Sequence, residues 1–237
     1  MKRILLMVLR NLFLVPGGWI KLCKYAAHPE RYKEEEMYKH LQYIVERANK
    51  GGNIDLEVYG RENVPAENGF IYYPNHQGLY DVLAMVYASP VPLGVVAKKE
   101  IVNIPLLKQV MKCTKSFAID RADVKQGLKV ILGVTEEVKK GRNYLIFAEG
   151  TRSKMQNQPQ EFKGGSFKAA VKAKCPIVPV AIIDSYKAFD TKSIEKIKVQ
   201  IHILEPMMYE EYKDMKTVEI AEEVKKRIEA VIKENSK

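Results

Sequence analysis

The sequence predicts an α/β fold, a single domain whose central and mostly parallel sheet is flanked by helices. Short apolar runs typical of buried strands, at residues 70–73, 144–148 and 176–182, alternate with segments of helical periodicity. Strands that alternate with helices are typical of parallel sheets, because each crossover passes through a helix. Polar and charged residues follow several of these strands, and parallel strands place such ends at one edge of the sheet.

The longer helical segments show an apolar stripe that would face the sheet. In residues 31–50 the stripe consists of Met37, Leu41, Ile44 and Val45. In residues 124–140 the side chains expected to point inward are Leu128, Ile131, Leu132 and Val138. A glycine follows each of these segments, as is common after a helix end. A last amphipathic helix is predicted at residues 219–234.

The remaining elements are shorter. Residues 53–59 and 198–204 alternate apolar and polar side chains, which indicates half-exposed strands. Two further strands are predicted at residues 94–97 and 116–119, and shorter helices at residues 82–87, 104–113 and 166–174. The sequence shows neither an internal repeat nor a second globular domain.

The charge of the chain predicts an anionic partner. Its 39 basic and 29 acidic side chains give a net charge of +10 over 237 residues. Nucleic acid, a membrane surface and an acidic or phosphorylated substrate carrier all fit this charge. Nucleic acid is disfavoured, because the sequence has no recognition helix and no aromatic-basic motif. The three cysteines suggest no disulfide framework, and the four histidines lack metal-ligand spacing, so we expect no metal.

Residues 1–29 differ from the rest of the chain, because they combine basic residues with two apolar runs and no acid. Arg10 and the Pro16-Gly17-Gly18 break leave each run shorter than the roughly 20 residues of a spanning helix. The pattern predicts two short helices in the interface of an anionic membrane, with Trp19 at the headgroup level. The alternative is that this segment packs on its own domain. We therefore predict a membrane-associating segment followed by a catalytic domain at 30–237.

A histidine and an aspartate lie five positions apart, where the strand at 70–73 gives way to a helix. With His76 in the turn and Asp81 in the first helical turn, the carboxylate can reach one imidazole nitrogen. This contact would fix the tautomer and stabilise the imidazolium, and the other nitrogen would accept a proton from a hydroxyl. A polar turn residue and a helix cap have the same spacing, so the pair alone is weak evidence for catalysis.

Charged residues also follow three other predicted strands. They are Lys98, the pair Asp120-Arg121, and the run Glu149-Gly150-Thr151-Arg152. Because parallel strands end at one edge of a sheet, these side chains are expected to converge on His76. Gly150 allows close approach of a ligand to the backbone, and Arg152 can bind a phosphate through two nitrogens. On its own, such a run is more often a turn with a surface ion pair.

Taken together and in order, these segments resemble the four motif blocks of glycerolipid acyltransferases of the 1-acyl-sn-glycerol-3-phosphate acyltransferase type. The segments are Asn75-His76 with Asp81, residues 97–101 with Ile104-Pro105, and residues 119–121, 147–153, 162–165 and 177–180. The resemblance covers residues 70–182, about half of the chain. The His-x4-Asp block is specific only jointly with the Glu-Gly-Thr-Arg block. The chain departs from many relatives at Leu106, where they have a glycine.

The resemblance implies transfer of a fatty acyl group from acyl carrier protein or coenzyme A to the free hydroxyl of 1-acyl-glycerol 3-phosphate. His76 would be the general base, Asp81 would orient it, and backbone amides near the turn would hold the oxyanion. The implied substrate-binding residues are Lys98, Arg121, Glu149, Gly150, Thr151 and Arg152. The three cations would bind the acceptor phosphate, and Glu149 would orient the arginines or the glycerol hydroxyls. It also implies no cofactor and a peripheral location at the cytoplasmic face of the cell membrane, in contact with anionic lipid.

Two alternatives stay open. The first is acyl transfer to another acceptor, glycerol 3-phosphate or a lysophospholipid, although Arg121 and Arg152 favour a phosphate monoester. The second is a non-catalytic lipid-binding protein of the same fold, which the presence of both His76 and Asp81 disfavours. The acyl-chain preference and the identity of the acyl carrier are not predicted.

Overall fold

In this computed structural model, which describes residues 2–120 and 122–236, seven strands form a central sheet. The strands are β1 (Ile54–Tyr59), β2 (Ile71–Pro74), β3 (Leu93–Lys98), β4 (Phe117–Ile119), β5 (Asn143–Leu145), β6 (Ile177–Ile183) and β7 (Ile197–Ile203). Their spatial order is β1-β7-β6-β2-β5-β3-β4. Among these strands only the pair β6–β7 is antiparallel, so the predicted mostly parallel α/β fold is confirmed.

Ten α-helices accompany the sheet within the described residues. They are α1 (Lys2–Arg10), α2 (Val15–Ala27), α3 (Glu34–Gly51), α4 (Tyr80–Ala88), α5 (Leu107–Cys113), α6 (Val124–Lys139), α7 (Lys168–Ala173), α8 (Tyr186–Phe189), α9 (Tyr209–Tyr212) and α10 (Thr217–Asn235). Successive side chains of β6 enter two separate apolar clusters, because a strand points its residues to alternate faces. Helices α2, α3 and α4 contribute to one cluster, and α6, α7 and α10 contribute to the other.

Several predicted boundaries and one predicted helix face need correction. The predicted apolar stripe on α3 does face the interior, since Met37, Leu41 and Val45 are buried. On α6 the prediction is wrong for Leu128 and Leu132, which are 52% and 44% exposed. Among the described residues of α6, the buried apolar side chains are Val130, Val134 and the correctly predicted Val138. β5 ends at Leu145, before the predicted 148, and α5 begins after Ile104-Pro105, where proline disfavours helix at the preceding residue.

Helices α1 and α2 each bury one side against the domain. The Arg3 side chain is 1% exposed, and its guanidinium donates to the carbonyls of Gly52, Ser193 and Glu195 at 2.5, 3.0 and 2.9 Å. Gly52 is the C-terminal cap of α3, where the helix dipole favours a cation. Leu22 of α2 is equally buried. The N-terminal segment is therefore fixed to the sheet domain by buried contacts.

The other sides of α1 and α2, together with the turn between them, expose apolar side chains. The most exposed are Leu5, Leu9, Phe13 and Ile20, at 60%, 58%, 96% and 66%. Within the described residues, a single helix that combines the length and apolar character of a membrane span is not found. The pair α1–α2 reaches that length and character together, but the two axes meet at 98°. One side of these helices therefore packs on the sheet domain, and the membrane contact of the exposed side stays a prediction.

Candidate active site

The turn between β2 and α4 is tied to the neighbouring strand β6. The side-chain amide of Asn75 donates to the carbonyl of Ile182 at 2.9 Å and accepts from the N–H of Ile182 at 2.7 Å. Asn75 is 1% exposed, so both bonds are shielded from water. This paired contact fixes the backbone one residue before His76.

His76 and Asp81 are in direct contact, as the spacing predicted. His76 Nδ1 lies 2.7 Å from Asp81 Oδ2. The Asp81 side chain is fully buried, and 14% of the His76 side chain is exposed. Within the described residues, the Nε2 atom of His76 has no hydrogen-bond partner. A histidine held at Nδ1 by a carboxylate and free at Nε2 is arranged to accept a proton from a bound hydroxyl.

The Asp81 carboxylate accepts three more hydrogen bonds. The backbone N–H groups of Gln77 and Gly78 donate to Oδ2 at 2.6 and 3.0 Å. The Ser185 hydroxyl donates to Oδ1, and Ser185 is fully buried at the end of β6. A buried carboxylate needs such donors, because an unsatisfied charge in the interior is strongly unfavourable. The carboxylate is thus held at both oxygens.

Three backbone amides of the turn are already engaged with the protein in the described structure, so they do not form the expected oxyanion site. The N–H of His76 donates to Glu149 Oε1 at 2.6 Å, and the next two amides donate to Asp81. Three successive N–H groups of the turn therefore hold carboxylates of the protein itself. The prediction that amides near the turn bind the oxyanion is wrong for Gln77, Gly78 and His76.

Glu149 supports the backbone of the turn. Its second oxygen, Oε2, accepts from the N–H of Gln160 at 2.9 Å, and the residue is 2% exposed. Burial is the main cause that raises the pKa of Glu149 from 4.5 to about 7. Both of its oxygens bond backbone amides in the described structure, so the expected contact with the arginines is not seen. A direct contact with substrate stays a prediction.

The ring of His76 stacks on Phe147, which follows β5. The two ring centroids are 3.9 Å apart, and the planes are inclined by 22°. The stack and the Asp81 contact restrict the imidazole from two directions. Phe147 belongs to the motif block that precedes Glu149, so one loop supplies both the stacking ring and the carboxylate.

Arg152 lies beside the catalytic turn. The N–H of the next residue, Ser153, donates to the carbonyl of His76 at 2.8 Å. Arg152 itself is exposed, and within the described residues its guanidinium makes no ion pair. Gly150 has φ +76°, a conformation that favours glycine, and a Cβ there would lie 3.0 Å from Lys163 Nζ. The loop thus brings two cations, Arg152 and Lys163, to the edge of the sheet near His76.

Another predicted cation, Lys98, is engaged in an ion pair in the described structure. Lys98 is the last residue of β3, two strands from β2, and its ammonium pairs with Glu100 at 3.1 Å. Its neighbour Lys99 pairs with Asp120. Arg121 lies outside the described residues. The roles of Lys98 and Arg121 in phosphate binding stay predictions.

Leu106 has a backbone conformation that favours glycine, the residue that the family resemblance leads us to expect at this position. Its φ and ψ are +73° and −55°, a backbone conformation that costs L-residues energy and that glycine adopts freely. The leucine is 43% exposed, so internal packing does not account for its retention.

Sequence reasoning missed Ser185 and Gln77. Gln77 Oε1 accepts from the Ser185 N–H at 3.0 Å, and its amide donates to Asn157 Oδ1 at 2.8 Å. Ser185 lies two residues after the end of β6, at the same sheet edge as His76. The rule that polar residues after parallel strands converge would have selected it. Among the described residues, no group of three or more potential ligands that could hold a metal ion is found.

The sequence of this chain is similar to that of known acyltransferases. Residues 55–183 match the family model described as Acyltransferase. The 1-acyl-sn-glycerol-3-phosphate acyltransferase of Saccharomyces cerevisiae is 30% identical over 185 residues, which span 76% of this chain and 61% of that protein. The Salmonella typhimurium protein of the same name is 31% identical over 185 residues, 77% of this chain and 75% of that protein.

One solved structure has a similar fold over nearly the whole chain. It is the crystal structure of the 1-acyl-sn-glycerophosphate (LPA) acyltransferase PlsC from Thermotoga maritima. The TM-score is 0.77, and the match covers 99% of this chain and 97% of that chain. The sequences are 20% identical, so this likeness concerns the fold alone. His76, Asp81 and residues 149–152 all lie inside the region that matches the family model.

Proposed function

Since this chain belongs to the acyltransferase family, we propose that it transfers a fatty acyl group from a thioester donor to 1-acyl-glycerol 3-phosphate. The product is phosphatidic acid, a precursor in phospholipid synthesis. The donor is acyl carrier protein or coenzyme A charged with the acyl group. The observation that carries the proposal is the buried Asp81 carboxylate bound to His76, with the opposite imidazole nitrogen free.

The reaction begins with proton transfer from the acceptor hydroxyl to Nε2 of His76. The hydroxyl oxygen attacks the thioester carbonyl as the proton leaves, and Asp81 stabilises the imidazolium. The tetrahedral intermediate then expels the carrier thiolate, and the imidazolium returns the proton to that sulfur. The ester forms, the thioester breaks, and His76 ends in its starting state. The substrate supplies the nucleophile, so an acyl-enzyme is not required.

The acceptor phosphate is held by cations at the edge of the sheet. Arg152 supports this role, because the Ser153 contact fixes its backbone beside His76 and its guanidinium is exposed. A guanidinium binds a phosphate through two parallel hydrogen bonds. Lys98 and Arg121 complete the proposed cation set at the ends of neighbouring strands. A phosphate bound there would place a glycerol hydroxyl within reach of Nε2.

The enzyme acts at the surface of an anionic membrane, on the cytoplasmic side. The exposed apolar sides of α1 and α2 would enter the interface, and the net charge of +10 would attract anionic lipid. The lipid acceptor and the lipid product are both found in that interface. A peripheral attachment of this kind leaves the sheet domain accessible to a soluble acyl carrier.

The test is an acyl-transfer assay with the purified protein in detergent micelles. It offers 1-acyl-glycerol 3-phosphate, glycerol 3-phosphate and lysophosphatidylcholine, each with acyl carrier protein and coenzyme A thioesters. We expect the highest kcat/KM with 1-acyl-glycerol 3-phosphate. Preference for lysophosphatidylcholine would contradict the phosphate-monoester site, and lack of transfer to every acceptor would favour a non-catalytic lipid-binding protein.

A further inference from the structure

A groove of about 550 Å³ lies between α2 and α3. Phe13 and Leu14 form one lip, and His40 and Tyr43 of α3 form the other. The residues of the catalytic turn are not part of its lining. The groove is therefore a second concave site, and the proposed reaction does not use it.

The groove carries positive charge. Lys21 and Lys39 line it, both are exposed, and within the described residues neither is in ion-pair distance of a carboxylate. The lining also includes Glu36, whose carboxylate already accepts a hydrogen bond from the Tyr25 hydroxyl at 2.5 Å. Two ammonium groups on opposite helices thus face a shared space, which is the arrangement that attracts a phosphate group.

Two glycines of the groove are not explained by packing inside the protein. A Cβ added to Gly17 or Gly18 would have no described atom within 4 Å, and neither glycine has a positive φ. Both lie in the first turn of α2, where alanine would be the more stable residue. Glycine does allow a ligand to approach the backbone closely. The pair therefore fits a site that is occupied from outside the protein.

The groove is continuous with the apolar surface of α1 and α2. Phe13 is 96% exposed and Leu14 is 41% exposed, and both belong to that surface as well as to the groove. If the surface lies in a membrane interface, the groove opens at the depth of the phosphate groups. We propose that it binds the phosphate headgroup of an anionic phospholipid, with Lys21 and Lys39 as the cations. This inference rests on the proposed membrane location.

The first experiment measures binding to vesicles by sedimentation. One set is phosphatidylcholine alone, and the other contains phosphatidylglycerol in phosphatidylcholine. The double variant Lys21→Gln/Lys39→Gln is compared with Lys24→Gln/Lys33→Gln, which removes the same charge from nearby exposed positions outside the groove. We expect the first variant to lose about tenfold or more in affinity for anionic vesicles, and the second to lose about threefold or less. Equal losses would show general charge attraction and overturn the proposal.

The second experiment changes the groove without changing its charge. In Gly17→Ala/Gly18→Ala the two methyl groups occupy space in which a headgroup would lie. We expect weaker binding to anionic vesicles, unchanged binding to neutral vesicles and a thermal midpoint no lower than that of the wild type. Wild-type binding to anionic vesicles by this variant would overturn the proposal.

The wild-type protein provides the reference for both experiments. Binding to neither vesicle type would overturn the headgroup site together with the membrane location. Acyl transfer in detergent micelles is measured in parallel, so a failure of the proposed reaction is recognised separately from a failure of lipid binding.

Discussion

Each hydrogen bond to Asp81 restricts the position from which its carboxylate holds His76. Oδ2 carries the imidazole contact and two backbone donors, and Oδ1 carries the Ser185 hydroxyl. An acceptor that is fully buried and fully bonded has one favoured orientation, because rotation would break several bonds at once. The same carboxylate therefore both fixes the tautomer of His76 and stabilises its charged form.

The Ser185 hydroxyl is expected to act as a positioning group. Ser185→Ala removes one hydrogen-bond donor from the buried Asp81 carboxylate. A hydrogen bond to a charged group contributes about 1.5–3 kcal/mol. We expect kcat to fall roughly tenfold to a hundredfold while KM for the acceptor changes little. Steady-state kinetics with 1-acyl-glycerol 3-phosphate measure both values.

Ser89→Ala is the matched control for that variant. Ser89 is also fully buried, and its hydroxyl donates to the carbonyl of Val91 at 2.7 Å. It should lose stability by a similar amount and keep the wild-type kcat. If both serine variants lose kcat equally, Ser185 acts through stability and not through Asp81.

Glu149 should give the protein a measurable pH dependence of stability. Its pKa is raised from 4.5 to about 7, mainly by burial, so the folded state holds a proton that the unfolded state releases. This contribution to stability is complete below pH 4.5 and is lost as the pH rises through 7. The rise in the pKa of Glu149 corresponds to about 3 kcal/mol in the free energy of unfolding.

Urea unfolding of the wild type and of Glu149→Gln at several pH values tests this expectation. Over pH 4.5 to 7 the free energy of unfolding of the wild type should fall relative to that of the variant, which cannot titrate at this position. A constant difference between the two proteins over this range would contradict the raised pKa.

Proximity in sequence decided which of these residues were predicted. His76 and Asp81 are five positions apart, so the local geometry of a strand, a turn and a helix was enough to pair them. Ser185 is 104 positions from Asp81 and reaches it through the pairing of β2 with β6. The order of strands in a sheet is not encoded in local periodicity, so that contact was not predicted.

At the scale of single elements, α6 shows how a stripe can be assigned to the wrong face. Leu128 and Leu132 are four positions apart, but so are Val130, Val134 and Val138. The predicted set joined Leu128 and Leu132 to Ile131 and Val138. Val138 is buried and Ile131 is half-buried, so only the two leucines were assigned to the wrong side. The structure buries the valines, which face β4, β5 and α7 as the smaller side chains at that interface.

This assignment predicts losses of stability of different size for two substitutions on α6. Val134 is fully buried, so Val134→Ala should cost about 2 kcal/mol of stability through lost apolar burial and a small cavity. Leu132→Ala removes a side chain that is 44% exposed and should change stability by about 0.5 kcal/mol or less. Chemical unfolding measures both. A larger loss for Leu132→Ala than for Val134→Ala would show that the sequence-based face was correct.

The mostly parallel pairing of the sheet was predicted, but the order of its strands was not. Alternation of strands and helices indicated parallel pairing, which holds from β6 through β2, β5 and β3 to β4. The two strands at one side of the sheet, β1 and β7, are parallel to each other and antiparallel to the other five strands. Residues 53–59 and 198–204 alternate apolar and polar side chains. This pattern is the same for a parallel and for an antiparallel strand, so it did not predict the direction of β1 and β7.

At the scale of the whole molecule, the N-terminal helices join the sheet domain to the proposed membrane surface. Removing residues 1–28 would delete Arg3, Leu22 and Tyr25, which are buried against the domain. Loss of membrane binding after such a deletion would therefore be confounded by loss of stability. Substitution of the exposed side chains separates the two effects.

We expect Leu5→Ser/Ile20→Ser to bind anionic vesicles several-fold more weakly than the wild type. Leu5 and Ile20 are 60% and 66% exposed, so the thermal midpoint should stay near the wild-type value. Leu22→Ser is the control, because Leu22 is 1% exposed and its loss should lower the midpoint. Vesicle sedimentation and thermal unfolding measure the two properties. Undiminished vesicle binding by Leu5→Ser/Ile20→Ser would place the membrane contact elsewhere on the protein.

The most direct test of the account is the turnover rate of His76→Ala in detergent micelles, measured with 1-acyl-glycerol 3-phosphate and a saturating acyl thioester. His28→Ala serves as the control, because the His28 side chain is 50% exposed and far in sequence from the turn. A general base contributes about 10²- to 10⁴-fold to a rate, so His76→Ala should lose at least a hundredfold in kcat while folding normally. His28→Ala should keep the wild-type kcat. Turnover by folded His76→Ala within about tenfold of the wild type would contradict the assignment of this imidazole as the base.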